Sequence, residues 1–359
     1  MVDPLLLCNA GSSGLRIHRV DSTGRIAAVR QFEGPQSDLV ARFSSLLNTL
    51  SRKSVVLHRI VHAGPVTESV QGIDADLLAR LHHWSSLAPV HNQLALALIE
   101  QVAEQWPDCE QFAVFDSGLF SELPQVASRY PLPTEVSPDW PVRRYGFHGL
   151  AHRSQWRKLQ SKGGFSRVIS LQLGGGTSAA AWRDNQVIDT TMGFTPLEGL
   201  PMGGRCGSID PGILLHLLEN EAYSAGKLRE LLNYRSGLTA LSGGLADMRE
   251  LLASEEQPAQ FAVEYYCYQI RKAIGAFIAV LGGVDAITIG GGIGENQAAI
   301  RRQIFQGMEY LGFTLDETAN GNAVGMASIH ASGSGASIWV TPVDEADEMT
   351  RQYTAFTTT

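Results

Sequence analysis

The chain is expected to be an α/β protein built from two duplicated domains, and three observations carry that expectation. Its 359 residues exceed the size at which one hydrophobic core stays single, which calls for two domains of roughly 150 residues or more. A hydrophobic share of 44%, a charged share of 18% and 37 glycines describe an ordinary soluble α/β enzyme rather than a disordered, collagenous or repeat chain. A strand, a Gly/Ser/Thr turn and a second strand occur twice, with helical segments between them, so the two halves read as copies facing a cleft.

The first copy is LLLCNAGSSGLRIHRV, where Leu5 to Cys8 is a buried-strand run and Ile17 to Val20 resumes after a Gly-Ser turn, a hairpin signal. RIVHAG, Arg59 to Gly64, reads as a short strand, and FAVFDSG, Phe112 to Gly118, as a strand ending in Asp116. Acids at the carboxyl ends of strands lie where α/β sheets put ligand chemistry. The second copy, RVISLQLGGGTSAAAWRDNQVIDTT, adds a turn at Asp184-Asn185 and a third strand. In VEYYCYQIRKAIGAFIAVLGG, Val263, Tyr266, Ile270, Ile274, Phe277 and Leu281 recur at helical spacing, and Gly282-Gly283 supplies the C-cap. That stripe is core. DAITIGGGIGEN follows as a buried strand entering a glycine turn.

A formal net charge of -8 argues against nucleic acid or an anionic membrane as the main partner. Cys8, Cys109, Cys206 and Cys267 are scattered without CxxC pairing, which fits reduced packing thiols better than a zinc site or disulfides. The opening MVDPLLLCNAG has an acid where a signal peptide needs basic residues, and the longest apolar segment is broken by Gly282-Gly283 and Asp285. A cytoplasmic location is expected. The glycine turns offer concave sets of backbone N–H groups suited to phosphate oxygens. Yet GGGIGEN lacks the third glycine of a dinucleotide fingerprint, and Gly226-Lys227 is followed by Leu228, so neither a Rossmann dehydrogenase nor a P-loop kinase is indicated.

The most informative stretch is TMGFTPLEGLPMGGRCGSIDPG, Thr191 to Gly212, with Glu198, Arg205 and Asp210 among glycines and prolines; it reads as an ordered loop lining a site. Together with RRYGFHGLAHRS around His148 and CNAGSSG around Asn9, it resembles the acetate kinase family, short-chain carboxylate kinases of the sugar kinase, Hsp70 and actin superfamily. The resemblance covers nearly the whole chain in order. It implies two ribonuclease H-like domains facing a central cleft, residues 1–145 with the C-terminal helix 346–359, and residues 146–345 as the nucleotide-binding domain. The implied reaction moves the γ-phosphoryl group of ATP to acetate, possibly also propionate, giving an acyl phosphate and ADP reversibly. In phosphoryl transfer a protein mostly positions groups and neutralises charge.

Carried over residue by residue, Arg59 and Arg205 match the family's two active-site arginines, His148 its phosphoryl-contacting histidine and Asp116 its essential aspartate, which would orient the clamp or bind magnesium through water. Arginine suits the role because its planar fork pairs two oxygens and stays charged. No base is required, since a carboxylate nucleophile already lacks its proton at neutral pH. Asn9 and Glu345 match the residues around Mg²⁺ (or Mn²⁺), a cation that keeps waters and rides on phosphates. The resemblance assigns the nucleotide to Ser12, Arg16, Gln172, Gly174, Gly175, Gly176, Asp247, Arg249, Gly292 and Gly294. It assigns the acid's alkyl group to Val61, Val90 and Pro196, with a homodimer formed through the second domain.

Departures concentrate in the glycine loops. The family's HLGNG here reads Gln172-Leu173-Gly174-Gly175-Gly176, Gly14 replaces a serine, Arg16 a lysine, Phe120 a histidine, Gln93 a proline and Val90 a leucine. Three readings therefore stand: the ATP-dependent kinase, the same reaction with another donor such as pyrophosphate or another carboxylate, and a weakly active nucleotide-binding regulatory paralogue.

Overall fold

The computed structural model describes residues 5–11, 14–50, 55–87, 89–137 and 141–358; the side chains of residues 86, 89–91 and 134 also lie outside the description. Leu5–Gly11 (β1) opens the first unit, with Leu5, Leu6, Leu7 and Cys8 all buried. The run is continuously apolar because both faces of the sheet are covered. Leu6, Cys8 and Ala10 pack with Leu39, Phe43 and Leu47 of helix Gln36–Leu47 and with Leu98 and Val102 of helix Pro89–Gln105. Leu5 and Leu7 pack on the opposite side with Ala346, Met349 and Tyr353 of helix Glu345–Thr358.

Gly14–Val20 (β2) and Ile26–Phe32 (β3) complete an antiparallel meander. Val55–Ile60 (β4) joins β1 in parallel, Val70–Gly72 (β5) forms an edge, and Glu110–Phe115 (β6) lies parallel to β4, giving the order β3-β2-β1-β4-β6-β5. The strand expected over Arg59 to Gly64 instead ends at Ile60. Gly64 turns the chain away at φ +69, and a Cβ there would come within 2.2 Å of the Trp84 ring.

The second unit repeats the plan. Arg167–Leu173 (β7), Thr177–Arg183 (β8) and Gln186–Thr190 (β9) form the meander, and Ala286–Gly290 (β10), Ala327–Ser328 (β11) and Ser337–Val340 (β12) complete the order β11-β12-β10-β7-β8-β9. Again the central pairs are parallel and the short edge strand antiparallel. The turn at Asp184-Asn185 has φ of 48° and 71°, the left-handed pair of a tight hairpin turn. Helix Gln257–Leu281 buries Val263, Tyr266, Ile270, Ile274, Phe277 and Leu281, and Gly282 caps it at φ 70°, as its spacing predicts. The segment after β10, read from sequence as a glycine turn, is a short helix, Gly291–Asn296. Its carbonyl end is supported from outside, which outweighs the low helix propensity of glycine.

The first unit comprises residues 1–122, 130–154 and 344–359, and the second 123–129 and 155–343. Residues past the expected boundary at 145 thus stay with the first unit up to Ser154, and a small segment before it packs with the second. All four cysteines are free. Among the described residues, no helix is long and apolar enough to cross a membrane.

Candidate active site

Strand pairing places Asn9 at the end of β1 beside Arg59 near the end of β4, and Asp116 directly follows β6. The three form one buried hydrogen-bonded row. Arg59 donates from Nη1 to Asn9 Oδ1 at 3.1 Å and from Nη2 to Asp116 Oδ2 at 3.0 Å. Glu345, the first residue of the C-terminal helix, joins it: Asn9 Nδ2 donates to Glu345 Oε2 at 2.7 Å, and Arg59 Nη1 lies 3.4 Å from Oε1. Burial alone would pull the Arg59 guanidinium down, but the carboxylates of Asp116 and Glu345 outweigh it, so its pKa stands above the ordinary arginine value. It is a permanent cation whose fork is aimed by two anions.

Asp116 is fully buried and organises the next turn as well. Its Oδ2 accepts from the His148 backbone N–H at 2.8 Å and its Oδ1 from Leu150 N–H at 3.4 Å, while its own carbonyl accepts from Gly149 N–H at 3.0 Å. His148 sits at φ +60, a left-handed conformation costing a non-glycine residue roughly 1 kcal/mol or more. Asp116 holds that strained turn. Gly149 is required there, because a Cβ would meet the Asp116 carbonyl at 2.1 Å. One helical turn on, His152 is buried and pushed down to about 3, first by burial, then by His148, against the opposing pull of Asp116. Phe120, in the position of a family histidine, is core: Gly146 lies over its ring at φ +73, with room for no side chain.

Val61 is buried just beyond β4. The following His62 backbone is gripped by Asn92, whose Oδ1 accepts from His62 N–H at 3.2 Å and whose Nδ2 donates to His62 O at 2.5 Å. The His62 ring stacks on Trp84 with centroids 5.5 Å apart and lies 4.7 Å from Tyr145. This support has no signal in the sequence, since Asn92 carries no motif of its own beside Val90 and Gln93. Ser12 lies outside the described residues, as does the Val90 side chain. Arg16 is exposed on β2, opposite Asn9 in the ladder.

In the second unit, Arg205 is 9% exposed and donates from Nη1 to the carbonyl of the buried Pro196 at 3.4 Å. Burial pulls its pKa down, with a smaller upward effect from Tyr234. The Thr191–Gly212 stretch is a loop up to Asp210, which caps helix Pro211–Asn220 through Gly212 N–H. Gly237 lets that loop close, since a Cβ would meet Met202 O at 2.1 Å.

The glycine turns come together. A Cβ on Gly174 would lie 3.7 Å from Gly292 N, and one on Gly291 would meet Leu173 O at 2.6 Å and Gln172 Nε2 at 2.7 Å. The two segments therefore pack closely through backbone and the Gln172 amide, and Gly175 is exposed with open space above it. Gln172 Oε1 is buried without a hydrogen-bond partner. Gly294 packs under Ile289. Asp247 and Arg249 pair with each other on the surface, where Asp247 caps helix Met248–Ala253 and is held down to about 2, chiefly by the Arg249 side chain.

No group of three or more His, Cys, Asp or Glu side chains able to hold a metal occurs among the described residues. The oxygens of Glu345 and Asn9 suit a hard cation that arrives with its own waters and phosphates, not one caged by protein alone.

A family model, the Acetokinase family, matches residues 16–351. The acetate kinase of Rhodopseudomonas palustris (strain ATCC BAA-98 / CGA009) is 40% identical over 298 residues, 82% of this chain and 75% of its own. That of Methylocella silvestris is 38% identical over 330 residues, 91% of this chain and 78% of its own. Among solved structures, Porphyromonas gingivalis acetate kinase aligns with a TM-score of 0.82 and 29% identity over 100% of both chains. A propionate kinase from Francisella tularensis subsp. tularensis SCHU S4 aligns with a TM-score of 0.86 and 28% identity over 98% of this chain and 99% of its own.

Proposed function

The chain belongs to the acetokinase family, and from that premise we propose that it transfers the γ-phosphoryl group of ATP to acetate or propionate. The observation that carries the reading is the buried row Asn9, Arg59, Asp116 with Glu345. Such a row has the parts that phosphoryl transfer needs: a pre-aimed arginine fork, a carboxylate to hold it, and an oxygen ligand set for a phosphate-borne cation. A carboxylate oxygen of the acid forms the new bond to the γ-phosphorus as the bond to the β,γ-bridging oxygen breaks, and ADP leaves with that oxygen's electron pair. Arg59 and Arg205 neutralise charge on the moving group, and His148 donates a hydrogen bond to it. Asp116 acts as the organiser of Arg59 and of the His148 turn, not as a base.

Magnesium carried on the phosphates would be held by Glu345, with Asn9 oriented beside it, and would offset the nucleotide's charge. The glycine wall of the second unit, Gly174 to Gly176 with Gly292 and Gly294, is read as the phosphate and adenosine side, with Asp247 and Arg249 at the nucleoside. Val61, Val90 and Pro196 are read as contacts to the acid's alkyl group. We further propose a cytoplasmic enzyme and a homodimer joined through the second unit; the exposed Ile213, Leu215 and Leu218 on helix Pro211–Asn220 support the latter.

Gln172 and the bare Gly175, standing where relatives carry a histidine and an asparagine, favour a second reading, in which the donor differs from ATP. Acyl phosphate trapped as the hydroxamate, with magnesium and either ATP or pyrophosphate, against acetate, propionate and butyrate, separates the two. Turnover with ATP is expected. Turnover with pyrophosphate alone overturns the donor assignment, and none with either, despite nucleotide binding, favours the regulatory reading.

A further inference from the structure

Helix Gly291–Asn296 has glycine at three of its six positions, so little side-chain surface anchors it. Its two ends are gripped instead. Glu295 Oε1 accepts from Gly291 N–H at 2.9 Å and from Val343 N–H at 3.1 Å. At the carbonyl end stands Arg301, 2% exposed on helix Ala298–Phe305. It donates from Nη1 to Gly294 O at 2.8 Å and Glu295 O at 3.0 Å, from Nε to Asn320 Oδ1 at 2.7 Å, and from Nη2 to Asn320 O at 2.6 Å. Asn320 is itself buried and anchored through Nδ2 to Ala298 O at 3.0 Å.

All four of those acceptors are neutral. Burying a guanidinium on neutral acceptors is a costly way to stabilise a core, since an apolar side chain of similar size packs there without desolvating a charge. What the fork adds is direction: two donors on successive carbonyls, and two more on Asn320, fix this short helix in height and rotation. That matters because the other end of the helix is closely packed on the strand end before the Gly174 turn, where a Cβ on Gly291 would meet Leu173 O at 2.6 Å and Gln172 Nε2 at 2.7 Å, so little room is left for a displacement.

We infer that Arg301 is a positioning residue for the phosphoryl donor: by clamping helix Gly291–Asn296 against the Gly174 turn it sets donor affinity without touching the donor. The inference rests on the reading of the second unit as the nucleotide side. Arg301→Lys keeps a cation but loses the fork, and Asn320→Ala removes one acceptor while leaving the other three bonds. Calorimetric titration of MgADP into the full-length protein, beside steady-state kinetics in ATP and acetate, reads the effect. Arg301→Lys is expected to weaken MgADP and raise the KM for ATP about tenfold, the scale at which supporting shells act on bound groups, with kcat and the KM for acetate changed less than about twofold. Asn320→Ala should move the same two quantities in the same direction by a smaller factor. Unchanged MgADP affinity in both variants, beside a wild type that binds it, overturns the inference. So does a parallel loss of kcat, both KM values and Tm, which marks a merely structural residue. A wild type that neither binds MgADP nor turns over ATP removes the proposed function first, and the inference with it.

Discussion

Counting along the paired strands, Asn9, Arg59 and Asp116 of the first sheet stand where Ser170, Thr288 and Thr341 stand in the second. Cys8 pairs with His58 in one sheet, which puts Asn9 beside Arg59, and Ser170 pairs with Thr288 in the other. Asp116 N–H donates to Ile60 O as Thr341 N–H donates to Ile289 O, both at 2.8 Å. All six residues are buried. In the first sheet the row is charged and tied to Glu345; in the second it is a hydroxyl row, Thr288 Oγ1 donating to Thr341 Oγ1 at 2.7 Å and Ser170 Oγ accepting from Trp182 Nε1 at 2.8 Å. One strand plan thus supports two kinds of site. The charged row needs carboxylates around its arginine to offset desolvation, whereas the neutral row leaves the work at its strand ends to glycine backbone.

The largest expected effect breaks the charged row. Arg59→Ala should lower kcat/KM by about a thousandfold, the scale of losing a group aimed at transition-state charge, and should lower unfolding stability by about 3–5 kcal/mol, because Asp116 and Glu345 are left without their cation. Hydroxamate assays and urea melts measure the two; near-normal turnover would place the reacting charge elsewhere.

Acid should separate the units next. Burial lowers His58 to about 4, against a hydrogen bond with Gln111, and His152 to about 3; both lie in the first unit. Unfolded histidine takes up its proton near pH 6.5, while the folded rings resist it. Their stability contribution is therefore complete above that pH and falls as pH drops toward 4, by about 1.4 kcal/mol per pH unit for each ring. Hydrogen exchange at pH 7 and pH 5 should show β1, β4 and β6 losing protection before β7 and β10. Equal loss in both sheets would contradict the assignment.

The smallest effect sharpens the neutral row. Thr288→Val keeps the shape and removes one buried hydroxyl, which should cost about 1–2 kcal/mol with kcat within about twofold. A collapse of turnover would make the hydroxyl row part of the reacting machinery.

Most of the fold was legible in the residues. The apolar run of β1, the Asp184-Asn185 turn and the stripe of helix Gln257–Leu281 each state their conformation locally, through alternation, left-handed turn residues and helical spacing. The four-residue overreach beyond Ile60 and the glycine turn that is a helix have different causes: Trp84, which closes on Gly64, lies twenty residues on, whereas Arg301 lies only a few residues past the helix it supports and is brought to bear by its burial against Asn320. Arg301 carries no motif in the sequence, and its burial beside Asn320 is a fact of the tertiary structure. Asp247 and Arg249, named by resemblance, pair with each other at the start of an exposed helix.

By itself the sequence determined the α/β class, the duplication and the family, and singled out Asn9, Arg59, Asp116 and Glu345 as candidates, because these reside in local pattern and in motif. Only the tertiary structure decided that Asp116 is an organiser, that Phe120 is core, and that the glycine turn after β7 packs against the short helix after β10. Those facts depend on which distant atoms come within hydrogen-bond or van der Waals reach, and strand pairing, not neighbourhood in the chain, sets that.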